Sequence, residues 1–166
     1  PAIRFAVTDH ATPASGFAGQ TIYLDLDGAE EVSYRGPVTV EGIDIPTFRA
    51  PEALTGQEQA IADFLVETLQ QASAGTGLLI TSEQPGAGET YSTVYIGGNG
   101  AAFSQYGDYW GLSEQVDPGN RDLADIAFVF SDAIPLDGSS VAAYATGLAG
   151  YVAHEAGHTL GLPHNQ

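Results

Sequence analysis

The sequence predicts one α/β (α+β) domain, and three observations carry that expectation. Short runs of alternating or wholly apolar residues, each bounded by Gly, Pro, Asp or Ser, recur between residues 20 and 130 and read as strands. An amphipathic segment at residues 55–74 interrupts them, and a longer segment rich in Ala and Gly, residues 141–160, follows the last of them. Both read as helices. At 166 residues and 43% hydrophobic composition the chain can bury one proper core and is too short for two, so residues 1–166 are expected to form a single domain.

Residues 1–19 are rich in small residues and turn formers and read as a leader or linker. Residues 20–27, QTIYLDLD, set Ile22, Leu24 and Leu26 on one face of a strand against Tyr23, Asp25 and Asp27, which puts the two carboxylates toward solvent. Gly28 supplies a turn. Two alternating runs within residues 31–45 flank Arg35-Gly36-Pro37, the pattern of a hairpin. Thr55 and Glu58 have capping-box spacing, Ile61, Phe64, Leu65, Leu69 and Ala72 follow at helical spacing, and Gly75 ends the segment.

Residues 78–81, LLIT, and 91–96, YSTVYI, read as further strands. The Gly97-Gly98-Asn99-Gly100 turn that follows lacks GxGxxG or Walker spacing, and the chain has no Lys, so a phosphate loop is excluded. Residues 101–123 are the least regular, with Tyr106, Tyr109 and Trp110 among glycines and with Asp108, Asp117 and Asp122 interspersed. One reading packs these aromatics as a long loop. Residues 125–130, DIAFVF, form a continuous apolar run, best read as a buried central strand. In the last helix Gly147, Gly150 and Gly157 each cost about 1 kcal/mol relative to Ala, and in return let the helix lie close to a sheet.

The charge balance narrows the partners. Four Arg and no Lys stand against 21 Asp plus Glu, a formal net charge of −17, which argues against nucleic-acid and anionic-membrane partners, both of which require basic patches. No stretch is long and apolar enough to insert in a membrane. With no cysteine, disulfides, thiolate metal sites and cysteine nucleophiles are excluded. The acidity favours cationic partners and makes Ca²⁺ a candidate ion, with Asp108, Asp117 and Asp122 as its ligands, although their spacing is not that of an EF-hand.

The chemistry concentrates at residues 154–164, His-Glu-Ala-Gly-His-Thr-Leu-Gly-Leu-Pro-His. Positions i and i+4 share a helix face, so His154 and His158 can present imidazoles to one metal ion, and Glu155 beside them can polarise a water on it. Gly161 can take the left-handed conformation that ends a helix, and Pro163 does not readily continue one, so the chain can turn His164 back toward the same ion. Chance spacing of these five residues is expected on the order of once in 10⁵ such chains.

These residues resemble the signature of the metzincin zinc metalloendopeptidases, His-Glu-x-x-His-x-x-Gly-x-x-His. The resemblance implies Zn²⁺ held by His154, His158 and His164, with Glu155 as general base, and hydrolysis of peptide bonds in a peptide or protein substrate. It implies a mixed, twisted sheet of four to five strands with a backing helix and an active-site helix, like the upper subdomain of that family. It also gives residues 110–116 a second reading, as an edge strand lining the cleft, with Trp110, Gly111, Leu112 and Ser113 as substrate-binding residues. In some metzincins an upstream aspartate enforces latency, a role open to Asp9 beside His10. The family's methionine turn lies downstream of the third histidine, and this sequence has no Met. On that ground residues 1–166 correspond to the N-terminal subdomain alone, without the C-terminal one, and the subfamily stays unassigned. The start at Pro1 suggests a processed piece of a longer secreted protein. The alternative function is a catalytically inactive zinc-binding domain with an adhesive or structural role in a larger extracellular protein. Oligomeric state is not legible.

Overall fold

A computed structural model describes residues 16–164. In chain order it contains β1 (Thr21–Asp25), β2 (Ala29–Arg35), β3 (Thr39–Ile45), α1 (Glu58–Ala72), β4 (Leu79–Thr81), β5 (Ser92–Ile96), β6 (Gly111–Ser113), β7 (Ile126–Val129) and α2 (Val141–Thr159). Five strands form one sheet in the order β4-β1-β5-β7-β6, in which only β6, at one edge, runs antiparallel to its neighbour. β2 and β3 pair antiparallel as a separate hairpin with irregular register. The mixed α+β class and the five-stranded sheet with two helices match the sequence expectation, and the hairpin lies where Arg35-Gly36-Pro37 puts its turn.

Strand alternation divides the core into two layers. Ile22, Leu24, Val94, Ile96, Ala127 and Val129 face the helices and pack with Ile61, Leu65 and Leu69 of α1 and Leu148, Ala149 and Val152 of α2. The other face carries Phe128 and Tyr95 into an aromatic cluster with Phe103 and Phe130, closed by Tyr34, Ile43 and Ile45 of the hairpin. Each fully buried large side chain stabilises the fold by roughly 1.5–3 kcal/mol, so both faces of the sheet contribute. The central strand β7 is covered on both sides, which explains its continuous apolar run.

Two local expectations are corrected. Asp25 is buried, not on a solvent face: its Oδ1 accepts from the backbone N–H of Asp27 at 3.0 Å and of Gly28 at 3.2 Å, so it builds the turn after β1. The capping box does not form. α1 starts at Glu58 with Gln57 as N-cap and no side-chain capping bond; Thr55 Oγ1 donates to the Glu52 carbonyl at 2.8 Å and Glu58 Oε1 accepts from Ala50 N–H at 3.2 Å. Proline-led turns upstream had a competing claim on both side chains.

α2 begins at Ser140, whose Oγ accepts from Ala143 N–H at 3.0 Å. Gly147 lets it pass Leu136, whose Cδ2 would stand 2.9 Å from a Cβ at that position. No helix among the described residues is long and apolar enough to cross a membrane.

Candidate active site

The C-terminal end of α2 builds the site. Its last turn closes as a Schellman motif: Gly161 N–H donates to the His158 carbonyl at 2.9 Å and Leu162 N–H to the Gly157 carbonyl at 2.8 Å, with Gly161 at φ +86°. The reversal returns the chain beneath the helix and brings His164 to the two histidines already on one helical face. Ring centroids lie 4.7 Å apart for His154 and His158, 4.8 Å for His154 and His164, and 4.3 Å for His158 and His164. One ligand nitrogen from each lies within 4.8 Å of the others, and this is the one group of three or more metal-ligating side chains that converges among the described residues.

Three imidazole donors suit zinc chemically, and one pair of them already stands at zinc spacing. Nε2 of His154 and Nε2 of His158 are 3.2 Å apart, close to the roughly 3.3 Å that two nitrogens take on a tetrahedral zinc with bonds of about 2.0–2.1 Å. His158 Nδ1 lies 2.8 Å from the Leu162 carbonyl, so Nδ1 carries the proton and Nε2 keeps its lone pair for the ion. Partial desolvation by the surrounding protein, and after it the neighbouring His158 and His164, hold the His154 pKa below its ordinary value, which favours the neutral ligand form. His158 is buried, whereas His154 and His164 are exposed and leave the centre open to solvent.

Glu155 sits beside this cluster with 8% of its surface exposed. Its Oε2 accepts a hydrogen bond from Ser113 Oγ at 3.1 Å. Burial pushes its pKa up to about 7, against the lowering effects of the Ser113 bond and of His164.

A cleft of about 640 Å³ opens next to Glu155 between the segment from Asp108 to Gly111 and the α2 residues Gly150, Tyr151 and His154. β6 forms its rim. Phe130 N–H donates to the Trp110 carbonyl at 2.8 Å and Glu114 N–H to the Ile126 carbonyl at 3.2 Å. Antiparallel alternation then turns the backbone groups of Gly111 and Ser113 toward the open edge. The Ser113 carbonyl there accepts from the Tyr34 hydroxyl at 3.2 Å, and Gly111 is the position of that edge without a backbone partner among the described residues.

Of the four residues expected to bind substrate, Trp110 and Gly111 line the cleft. Leu112 packs into the aromatic cluster, and Ser113 directs its hydroxyl to Glu155. The expected edge strand exists but is short, three residues in place of 110–116. The aspartates expected to hold calcium are not gathered: Asp108 lies at the cleft, while Asp117 is buried and accepts from Asp122 N–H at 2.7 Å. Asp9 and His10 lie outside the described residues. Sequence reasoning missed Tyr151, although it precedes His154 by one helical turn and so shares its face. It also missed the Asp117 N–H, which donates to the His158 carbonyl at 3.1 Å and ties the loop after β6 to the helix end. No sequence signal marks that contact.

Comparison with known proteins returns no matching family model, no matching curated protein and no matching solved structure.

Proposed function

We propose that this chain is the zinc-binding part of a zinc-dependent endopeptidase. The observation that carries the proposal is the convergence of His154, His158 and His164, ligand nitrogens within 4.8 Å, beside a buried carboxylate. His154, His158 and His164 would hold the ion; when bound there, zinc supplies a Lewis acid that polarises a carbonyl oxygen and brings the pKa of water down to about 7.

The chain's own residues account for the rest. Glu155 takes the proton of the attacking water and returns it to the leaving amine. Ser113 fixes the orientation of that carboxylate through the 3.1 Å bond to Oε2. The edge-facing backbone groups of Gly111 pair with an extended peptide, as a sheet edge does when it adds a strand, and hold the scissile bond alongside Glu155. Trp110 and Tyr151 wall the space beside it, their rings edge to face with centroids 5.8 Å apart.

The test combines metal analysis on these residues with a cleavage assay on the longer protein that contains them and runs past Gln166. Anomalous scattering at the zinc edge is expected to give a single ion at the three histidines. His158→Ala is expected to abolish tight zinc binding and His10→Ala to leave it intact; equal losses would refute the ligand assignment. Peptide hydrolysis is expected to stop on chelation and in Glu155→Ala. A longer protein that runs past Gln166, binds zinc and yet cleaves no peptide would defeat the endopeptidase reading and leave the metal centre standing.

A further inference from the structure

The cleft beside Glu155 has a chemistry of its own. Trp110, half exposed at 50%, and Tyr151 meet edge to face and form one aromatic wall, and exposed Asp108 is among the lining residues. The three described arginines, Arg35, Arg49 and Arg121, are absent from the lining, and the chain contains no Lys. At about 640 Å³ the space accommodates a long side chain. We infer that this cleft selects a cationic side chain, arginine above lysine, at the substrate position flanking the scissile bond. The inference rests on the endopeptidase reading for the word substrate, though the binding preference it states can be measured without cleavage.

Three features point the same way. Aromatic faces attract a cation over their rings, and a guanidinium adds planar stacking that an ammonium lacks. Asp108 adds a negative charge at the edge of the same cleft. A leucine or phenylalanine side chain gains the aromatic contact but no attraction to that charge, and an acidic side chain is repelled by it. The formal charge of −17 raises the local concentration of cationic peptides at any opening of this surface.

Trp110 is the only tryptophan in the chain, so its emission reports occupancy of the cleft directly. The experiment titrates the full zinc-loaded chain carrying Glu155→Gln, to prevent turnover, with blocked tripeptides differing at one position: arginine, citrulline, leucine or glutamate. Arginine is expected to saturate the Trp110 signal about tenfold more tightly than its neutral isostere citrulline, with glutamate weakest. Asp108→Asn is expected to collapse the arginine-to-citrulline ratio, and Asp63→Asn, an equal charge change on exposed α1 surface, to leave it as it was. Equal binding of arginine and citrulline, a ratio unmoved by Asp108→Asn, or no change in Trp110 emission with any peptide overturns the inference.

A parallel cleavage assay on the wild-type longer protein that runs past Gln166 separates the two levels. Selective binding of arginine without hydrolysis supports the cleft preference and overturns the endopeptidase reading. Hydrolysis without preference for arginine does the reverse.

Discussion

Gly111 on β6 stands so close to Glu155 on α2 that a Cβ at position 111 would lie 2.6 Å from Oε1 and 2.8 Å from Cγ. The Phe128 carbonyl, 2.9 Å from the same point, blocks escape on the other side. A side chain at 111 therefore displaces either the strand or the carboxylate. Gly111→Ala is expected to abolish peptide hydrolysis while zinc still binds, and to destabilise the fold by about 1–3 kcal/mol. Zinc content and denaturant midpoint, measured on one preparation, check both halves.

Ser113 acts on the same carboxylate from the next outward-facing position of β6. Ser113→Ala removes the donor to Glu155 Oε2 without opening a large cavity. Hydrolysis is expected to fall about 10- to 100-fold with zinc affinity unchanged, the pattern of a lost orienting contact. A parallel fall in zinc affinity would place Ser113 in support of the histidines instead.

Gly161 is required twice. Its φ of +86° disfavours any side chain, and a Cβ there would run into the Asp117 carbonyl. Gly161→Ala is expected to cost about 2–4 kcal/mol of stability. By shifting the turn that returns His164, it is also expected to weaken zinc binding by at least about tenfold. Competition against a chelator of known affinity reads the second effect.

Asp125 gives the fold a pH dependence. Its side chain is buried, Oδ1 accepts from Ser92 Oγ at 2.5 Å, and Oδ2 has no partner among the described residues. Burial, opposed by the Ser92 bond and reinforced by Asp122, Asp117 and Glu114, pushes its pKa up to about 7. The unfolded value is about 3.9, so the folded state binds this proton more tightly. The stability it contributes is complete below about pH 4 and is lost as pH rises through about 7. Asp125→Asn is expected to stabilise the chain at pH 8, on the order of 3 kcal/mol, and to have little effect at pH 4. Thermal unfolding at the two pH values checks the sign.

Much of the fold was legible because its signals are local. The hairpin follows from Arg35-Gly36-Pro37, the buried strand β7 from a continuous apolar run, and α2 from its length and composition. Where tertiary packing competes with a local pattern, the pattern misled. The alternation in β1 implied a solvent face, but Tyr23 and Asp25 on that face are buried. Thr55 and Glu58 had the right spacing for a cap and were taken by the preceding turn. β6 is the hardest case, since a three-residue strand carries too little periodicity to register its pairing.

The sequence by itself determined the candidate ligands and their order. The four-residue spacing of His154 and His158 is a property of any α-helix, and a glycine at 161 is what the left-handed turn toward His164 requires. Tertiary structure alone decided what surrounds them. That Ser113 reaches Glu155 across 42 positions of chain, that Asp117 braces the carbonyl of His158, and that Trp110 meets Tyr151 over the cleft all depend on β6 lying at the sheet edge against α2. Such contacts join residues far apart in the chain, so no local pattern encodes them, and they arise only when both elements pack on the same sheet.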